Sequence, residues 1–271
     1  MKKTPAPHPL LDHPWVKPGL WLLAGAVALF FLWDDIDRRW LQGAIVSLLI
    51  FIVSVIVLIP RAKQRTKKFK QVAGQMGMKF SNGDSALLRR LGAFDLFRRV
   101  FRVHTGLTRL QKITNVLHGD SEQLGYSEEF KVTILECMDD EEEYQTVILF
   151  RSPRLSLPDF LMRPEKLRHK IGSRYLGDQD IDFESDQTAA EFSKKYLLRG
   201  KYGKYERKIR VLFTDKILTF FAAHPDEVCV EGRGKQLIFY QAGKIIEPED
   251  TPAFIEEGLE VFRLFASSRP S

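Results

Sequence analysis

Cysteine is scarce in this sequence, and tryptophan is missing from most of it. Only Cys137 and Cys229 among the 271 residues are cysteines, and neither has a CxxC partner. This excludes a disulfide-rich secreted scaffold and argues against a structural zinc site. Apolar residues make up 44% of the chain and charged residues 28%. That is enough apolar material for a folded core, so disorder along the whole chain is excluded.

Common site motifs are incomplete. Gly232 and Gly234 lie between two strand patterns without the helix and Lys–Ser/Thr pair of a phosphate loop, so we interpret both as a tight turn. No GxSxG nucleophile motif occurs. A Cys–His nucleophile assembled in space stays open, but both cysteines lie in strand patterns, where a small buried side chain is the usual role.

An acidic stretch at residues 178–186 places an acid at every second position. A calcium loop has this alternation, but Phe183 stands where the loop needs glycine, and Ala189 stands where it needs a bidentate glutamate. The alternation with Ile181 and Phe183 instead predicts a strand with one solvated acidic face. We therefore predict no metal site. Because the other site motifs are also incomplete, we predict no cofactor and no catalytic residue.

Acidic residues are absent from residues 61–70, a stretch with six basic ones. The whole chain has 41 Lys+Arg and 35 Asp+Glu, so without these six both totals would be 35. The basic character is therefore local, so it does not imply a generally basic nucleic-acid-binding surface, and we predict no nucleic-acid partner. The six residues, predicted to face lipid, are Arg61, Lys63, Arg65, Lys67, Lys68 and Lys70.

Two further charge blocks have two possible interpretations. Residues 84–112 carry seven basic and two acidic side chains, and residues 120–143 carry ten acids and one lysine. They are either solvated faces or a polar docking surface for a protein partner or lipid head groups.

All four tryptophans lie within the first 40 residues, beside two uncharged apolar runs. As a helix, residues 19–33 span about 22 Å, and the stretch from Trp15 to Trp33 spans about 27 Å, close to the hydrocarbon thickness of a bilayer. Residues 41–59 form a longer second run after a short polar turn. We predict a transmembrane helical hairpin over residues 19–60. Its predicted interface anchors are Trp15, Trp33 and Trp40.

Basic residues flank the predicted hairpin at both ends. Lys2, Lys3 and Lys17 precede it and residues 61–70 follow it, whereas the turn carries two arginines beside three aspartates. The positive-inside rule therefore predicts that the N- and C-termini are both cytoplasmic. The alternative for the first run is a cleaved signal peptide, but its small residues lie inside the run and not after it.

The remainder of the chain is predicted to be one α+β domain, with a largely antiparallel sheet and flanking helices. The segments are an N-terminal tail (1–18), the hairpin (19–60), a basic juxtamembrane helix (61–77) and the domain (78–271). Strands are predicted at 113–117, 130–137, 144–151, 181–183, 196–199, 227–231 and 236–241. Helices are predicted at 84–91, 165–171, 203–222 with a break near Thr214, and 252–265. Three prolines predict an irregular segment at 152–164, and residues 94–103 fit neither period.

The domain contains four recognisable motifs: LPDFLMRPE at 157–165, DIDFE at 180–184, EFSKKYLLRG at 191–200 and IRVLF to LIFY across 209–240. These motifs resemble those of a family of uncharacterised bacterial proteins. The resemblance covers most of residues 110–265. It implies a bacterial source and a layout with two N-terminal hydrophobic segments before a soluble domain, and it supplies no catalytic residue.

These patterns together predict a protein of the bacterial inner (plasma) membrane without enzymatic activity. In this hypothesis the cytoplasmic domain docks a partner, as an accessory or scaffold subunit of a membrane complex, and the basic stretch meets anionic lipid head groups. The alternative is a membrane-tethered enzyme of unknown reaction. A cleft in which titratable side chains converge would distinguish the enzyme from the scaffold.

Overall fold

Runs of β-branched and aromatic residues form the strands of a single sheet. The structure is a computed structural model that describes residues 38–97, 113–138, 144–166, 178–183, 187–201 and 205–267. It divides the chain into two compact units, Met1–Lys67 and Lys68–Ser271, and the sheet belongs to the second.

The strands within the described residues confirm the α+β class and the antiparallel sheet. They are β1 (Lys79–Ser81), β2 (Ile113–Asp120), β3 (Lys131–Met138), β4 (Tyr144–Arg151), β5 (Leu157–Pro164), β6 (Asp178–Asp180), β7 (Tyr196–Lys201), β8 (Cys229–Gly234) and β9 (Gln236–Tyr240). Their order across the sheet is β1-β2-β3-β4-β9-β8-β5-β7-β6. Each described pairing of neighbours is antiparallel.

The helices agree largely with the sequence patterns. Asp84 caps the second helix, where its side chain accepts a hydrogen bond from the Leu87 N–H at 2.8 Å. Thr214 separates two helices, as predicted. The described helices are α1 (Arg38–Gln75), α2 (Ser85–Leu91), α3 (Gln187–Lys195), α4 (Glu206–Leu212), α5 (Asp215–Ala223) and α6 (Thr251–Ser267), with 3-10 turns at Asp95–Phe97 and Pro248–Asp250.

Each face of the sheet packs against a different set of elements. The first face, here called the aromatic face, packs against α3, α4, α5, α6 and the last turns of α1, and many of its residues are phenylalanines. The second face packs against α2 and the 3-10 turn Asp95–Phe97. Because side chains alternate along a strand, Ile134 lies on the aromatic face and Leu135 on the second face.

The irregular segment predicted at 152–164 is wrong, because residues 157–164 form the internal strand β5. The pairing of β5 with β8 shifts register between Leu157 and Phe160, and Pro158 lies at that irregularity. Pro164 is the last residue of the strand. Prolines are tolerated at bulges and strand ends because no ladder hydrogen bond is lost there.

The strand predicted at residues 181–183, within the acidic stretch, is also wrong in position. The strand of this region is β6, which ends at Asp180, and residues 181–183 have no regular structure. Ile181 and Phe183 pack into the aromatic face instead. Helix α3 follows, which the sequence patterns missed, and it buries Ala189 and Phe192 at a spacing of three.

Two further expectations differ from the structure. The compact unit begins at Lys68 and not at residue 78, because Phe69 and Ala73 of α1 are buried in the domain core. Gly232 is part of β8, packed under the ring of Phe160, and not a turn residue; Gly234 has the positive φ of 56° that a turn requires. Trp15, Trp33, the first apolar run and residues 98–103 and 167–171 lie outside the described residues.

Candidate functional site

The first described turns of α1 expose apolar side chains on several sides of the helix. Six large ones are between 37% and 63% exposed. Successive residues of a helix are rotated by about 100°, so these neighbours in sequence do not form a single stripe. An exposed apolar surface of this kind is typical of a site of interaction with a membrane or a protein. The six are Ile45, Val46, Leu48, Leu49, Ile50 and Ile52.

The predicted hairpin can be followed only in part. Trp40 lies in the first turn of α1, and the second apolar run forms part of the same helix. Side chains of that run are described for residues 43–52. Among the described residues, no helix combines the length and the hydropathy needed to cross a membrane.

The six basic residues predicted to face lipid all lie on α1. Arg65 is half-buried. The Nζ of Lys68 lies 2.7 Å from the Oε1 of Glu249, so this lysine already has an acidic partner in the domain. Among the members whose side chains the structure describes, Lys63, Lys67, Lys68 and Lys70 are exposed.

Charged side chains occupy the second face of the sheet on four adjacent strands, β6, β7, β5 and β8. The Arg199 Nε lies 2.6 Å from the Asp180 Oδ1. The Arg233 Nε lies 3.7 Å from the Asp159 Oδ1. We call this set the charged strip: Asp159, Arg163, Asp180, Arg199, Glu231 and Arg233.

Glu231 is the most deeply buried member of the charged strip, with 2% exposure. Its Oε1 accepts a hydrogen bond from the Leu96 N–H at 3.1 Å and one from the Tyr240 hydroxyl at 3.4 Å. The Arg163 Nη2 lies 3.8 Å from the same oxygen. A buried carboxylate is costly unless it is hydrogen-bonded and paired. These contacts therefore satisfy the charge and fasten the 3-10 turn to the sheet.

Both cysteines are buried on the second face of the sheet. Burial raises the pKa of the Cys229 thiol to about 12. It also raises the pKa of Tyr240, the neighbour of Cys229 on β9, well above its usual value. Cys229 is therefore a neutral thiol at physiological pH, without the lowered pKa of an activated nucleophile.

The histidines described here make separate contacts. The His118 Nδ1 lies 3.1 Å from the Thr133 Oγ1, and its Nε2 lies 3.7 Å from the Asp84 Oδ2. The His224 Nε2 lies 3.9 Å from the Glu257 Oε1. Among the described residues, no group of three or more histidine, cysteine and acidic side chains is arranged to hold a metal ion.

Sequence patterns alone did not predict the charged strip. Its members come from four strands that are distant in the chain, and only the sheet order makes them neighbours. A signal did exist, since Arg163 and Glu231 each interrupt an apolar strand run. Buried charges in such runs need partners, and the partners cannot be named before the register is known.

Comparisons with known proteins give little further information. No family model matches the chain, and no curated protein matches it. Among solved structures, it is similar to the crystal structure of the mycobacterial trehalose monomycolate transport factor A, TtfA, with a TM-score of 0.49 and 15% sequence identity. The similarity covers 75% of this chain and 93% of that chain. A similarity of this size carries no argument about function.

Proposed function

We propose that this chain is an accessory or scaffold protein of the bacterial inner membrane, anchored by the hairpin of residues 19–60. The observation that carries the proposal is the apolar surface of α1 between Ile45 and Ile52. Lipid tails would cover apolar side chains on several sides of a helix, whereas water would leave them exposed. The adjacent basic stretch fits the cytoplasmic end of such a helix.

The apolar residues of α1 differ between its two ends. Between Ile45 and Ile52 they are largely exposed, whereas Phe69, Val72 and Ala73 are buried in the core of the second unit. The first set lies on the surface of the helix, and the second set is covered inside the domain. This difference supports an anchor that is continuous in sequence with a folded domain.

The domain is proposed to dock a protein partner and to have no enzymatic activity. The alternative, a membrane-tethered enzyme, would need an activated group in a cleft. Cys229 is buried and its pKa is raised to about 12, which argues against a thiol nucleophile there. In the charged strip, arginines form ion pairs between neighbouring strands. Arg199 of β7, for example, is paired with Asp180 of β6.

Extraction and topology test the anchor. Alkaline carbonate should leave the chain in the membrane pellet, and a reporter fused after Ser271 should show cytoplasmic activity. Release by carbonate would contradict the anchor. A periplasmic signal from the reporter would contradict the predicted orientation.

The basic stretch provides a second test of orientation. Replacing its six basic residues with glutamine should reduce correct insertion, because cationic residues retain the cytoplasmic end of a helix. A matched control exchanges each lysine for arginine and each arginine for lysine, which keeps the charge. If the glutamine variant inserts as well as this control, the stretch does not determine topology.

Purification from native membranes tests the docking role. In a mild detergent the full chain should elute with a second protein at a constant ratio. A chain that always elutes alone, at the size of one copy in its detergent micelle, would contradict the scaffold hypothesis and leave the anchor unaffected.

A further inference from the structure

Helix α4 buries one side and exposes the other. Ile209 and Leu212 are buried in the core under the aromatic face. Arg207, Lys208 and Val211 are exposed. In a helix, residue 211 lies next to residues 207 and 208, which precede it by four and three positions. These three side chains therefore share the outer face of α4.

Val211 is an unusual residue for that position. It is 54% exposed, and Ile245 is the other large apolar side chain that is exposed in the described part of Lys68–Ser271. A scattered exposed valine needs no explanation by itself. Here, however, it lies next to two cationic side chains, so the surface combines an apolar part with a basic part.

The basic residues of α4 differ in their contacts. Arg210 is held in place: its Nε donates to the Glu206 Oε1 at 3.0 Å, and its Nη1 donates to the Asp182 carbonyl at 2.8 Å. The side chains of Arg207 and Lys208 form no hydrogen bond or ion pair with any described residue. Their charges are therefore available to a partner, whereas the charge of Arg210 is already neutralised.

The surroundings of α4 add positive charge. Residues 194–216 contain nine lysines and arginines against two acids. Arg199, one of the nine, is paired with Asp180 on the second face and does not belong to this surface. An open depression of about 440 Å³ lies on the helix surface, lined by Glu206, Arg207, Arg210 and Val211. An anionic partner would be attracted here, and the acid in the depression is already engaged by Arg210.

We propose that the outer face of α4 contacts the anionic surface of the membrane to which the chain is anchored. Arg207 and Lys208 would meet lipid phosphates, and Val211 would enter the boundary between head groups and acyl chains. This inference rests on the proposed membrane anchor, because a weak basic surface is effective only when the chain is held near the bilayer.

The test uses the full chain in nanodiscs of phosphatidylcholine, alone or mixed with phosphatidylglycerol. A Val211→Cys variant carries a polarity-sensitive maleimide dye. Labelling should be selective because Cys137 and Cys229 are buried. Lipids with a spin label on the head group should quench this dye roughly twofold more strongly in the anionic nanodiscs than in the neutral ones. Adding R207Q and K208Q should remove the difference.

The matched control is a dye at Glu260→Cys, an exposed acidic position on α6. Its quenching should be the same in both lipids, because an acidic surface is not attracted to anionic head groups. Equal quenching at position 211 in both lipids would overturn the contact. A blue-shifted dye that lipid spin labels do not quench would also overturn it, since that result indicates a protein partner.

Failure of the contact can be separated from failure of the anchor. If carbonate leaves the chain in the nanodisc fraction while the dye at position 211 stays in water, only the α4 contact is wrong. If carbonate removes the chain from the nanodiscs, the anchor itself is wrong.

Discussion

The aromatic face and the second face of the sheet are held together by different interactions. On the aromatic face, Phe213 packs edge-on against Phe160 at 5.2 Å and against Phe265 at 5.7 Å between ring centroids. On the second face, Glu231 is held by hydrogen bonds and a nearby arginine. A lost ring leaves a cavity, whereas a lost polar partner leaves an unsatisfied group. The two faces should therefore respond differently to substitution.

Unfolding of the domain can be followed through its own cysteines. Cys137 and Cys229 are buried, so a thiol reagent should reach them only when the domain opens. Tryptophan fluorescence is less suitable, because all four tryptophans lie in the first 40 residues. The stability predictions below are therefore measured as thiol exposure of the full chain against urea concentration.

The largest effect is expected from Phe213→Ala on the aromatic face. This ring contacts four other phenylalanines, with centroid distances from 5.2 to 6.3 Å. Removing it should lower the free energy of unfolding by about 3–5 kcal/mol. Val211→Ala, at an exposed position, is the control and should change it by less than about 0.5 kcal/mol. Similar losses in the two variants would contradict the packing described here.

The second prediction tests how tightly the aromatic face is packed. A Cβ at position 232 would lie 2.1 Å from the Phe160 Cε1. The ring cannot move freely because it packs against Phe213 and Phe265. Gly232→Ala should therefore lower the free energy of unfolding by about 1–3 kcal/mol. Gly74→Ala, in a helix with open space around it, should instead raise it by about 0.4–1 kcal/mol. A neutral Gly232→Ala would show that the sheet adapts more easily than a packed core.

The third prediction concerns the polar centre of the second face. Glu231→Gln keeps an acceptor for the Leu96 N–H but removes the charge that faces Arg163. The free energy of unfolding should fall by about 1–2 kcal/mol. Arg163→Met combined with Glu231→Gln should cost less than the sum of the two single changes, because neither charge is then left without its partner. Strict additivity would mean that the two residues are not coupled.

The smallest effect is expected from His118→Gln, which should change how the free energy of unfolding depends on pH. Burial is the main cause that lowers the pKa of His118 below 6.5, so the folded protein favours the neutral ring. Its contribution to stability is therefore complete above about pH 6.5 and is lost as the pH falls through the lowered pKa. His118→Gln should make the free energy of unfolding fall less steeply between about pH 7 and about pH 5. Parallel pH curves for the two proteins would contradict this prediction.

Local patterns predicted the elements whose residues carry their own signals. The strands predicted at 130–137 and 144–151 correspond to β3 and β4, and the terminal helix corresponds to α6. Asp84 predicts the start of α2, because a side-chain cap is a local feature. Such features depend on residues close in sequence, so a single segment contains the information.

Other elements depended on segments distant in the chain. The prolines of residues 152–164 predict an irregular segment in place of β5. Only the register with β8 shows that Pro158 lies at an irregularity, where a strand tolerates proline. The sequence pattern predicts a turn at Gly232, and this prediction fails because the ring that covers the residue, Phe160, comes from another strand. Helix α3 is short and acquires its stability from packing on the aromatic face more than from propensity.

The sequence by itself determined the class of the domain, most of its strands, the concentration of basic charge at residues 61–70 and the two apolar runs before it. These follow from composition and from the periods of strand and helix, which are properties of neighbouring residues. The tertiary structure alone decided the strand order, the partners of Glu231 and the exposure of Val211 beside Arg207 and Lys208. Each of these depends on which distant segments of the chain pack against one another. Residues that are close in sequence do not contain this information.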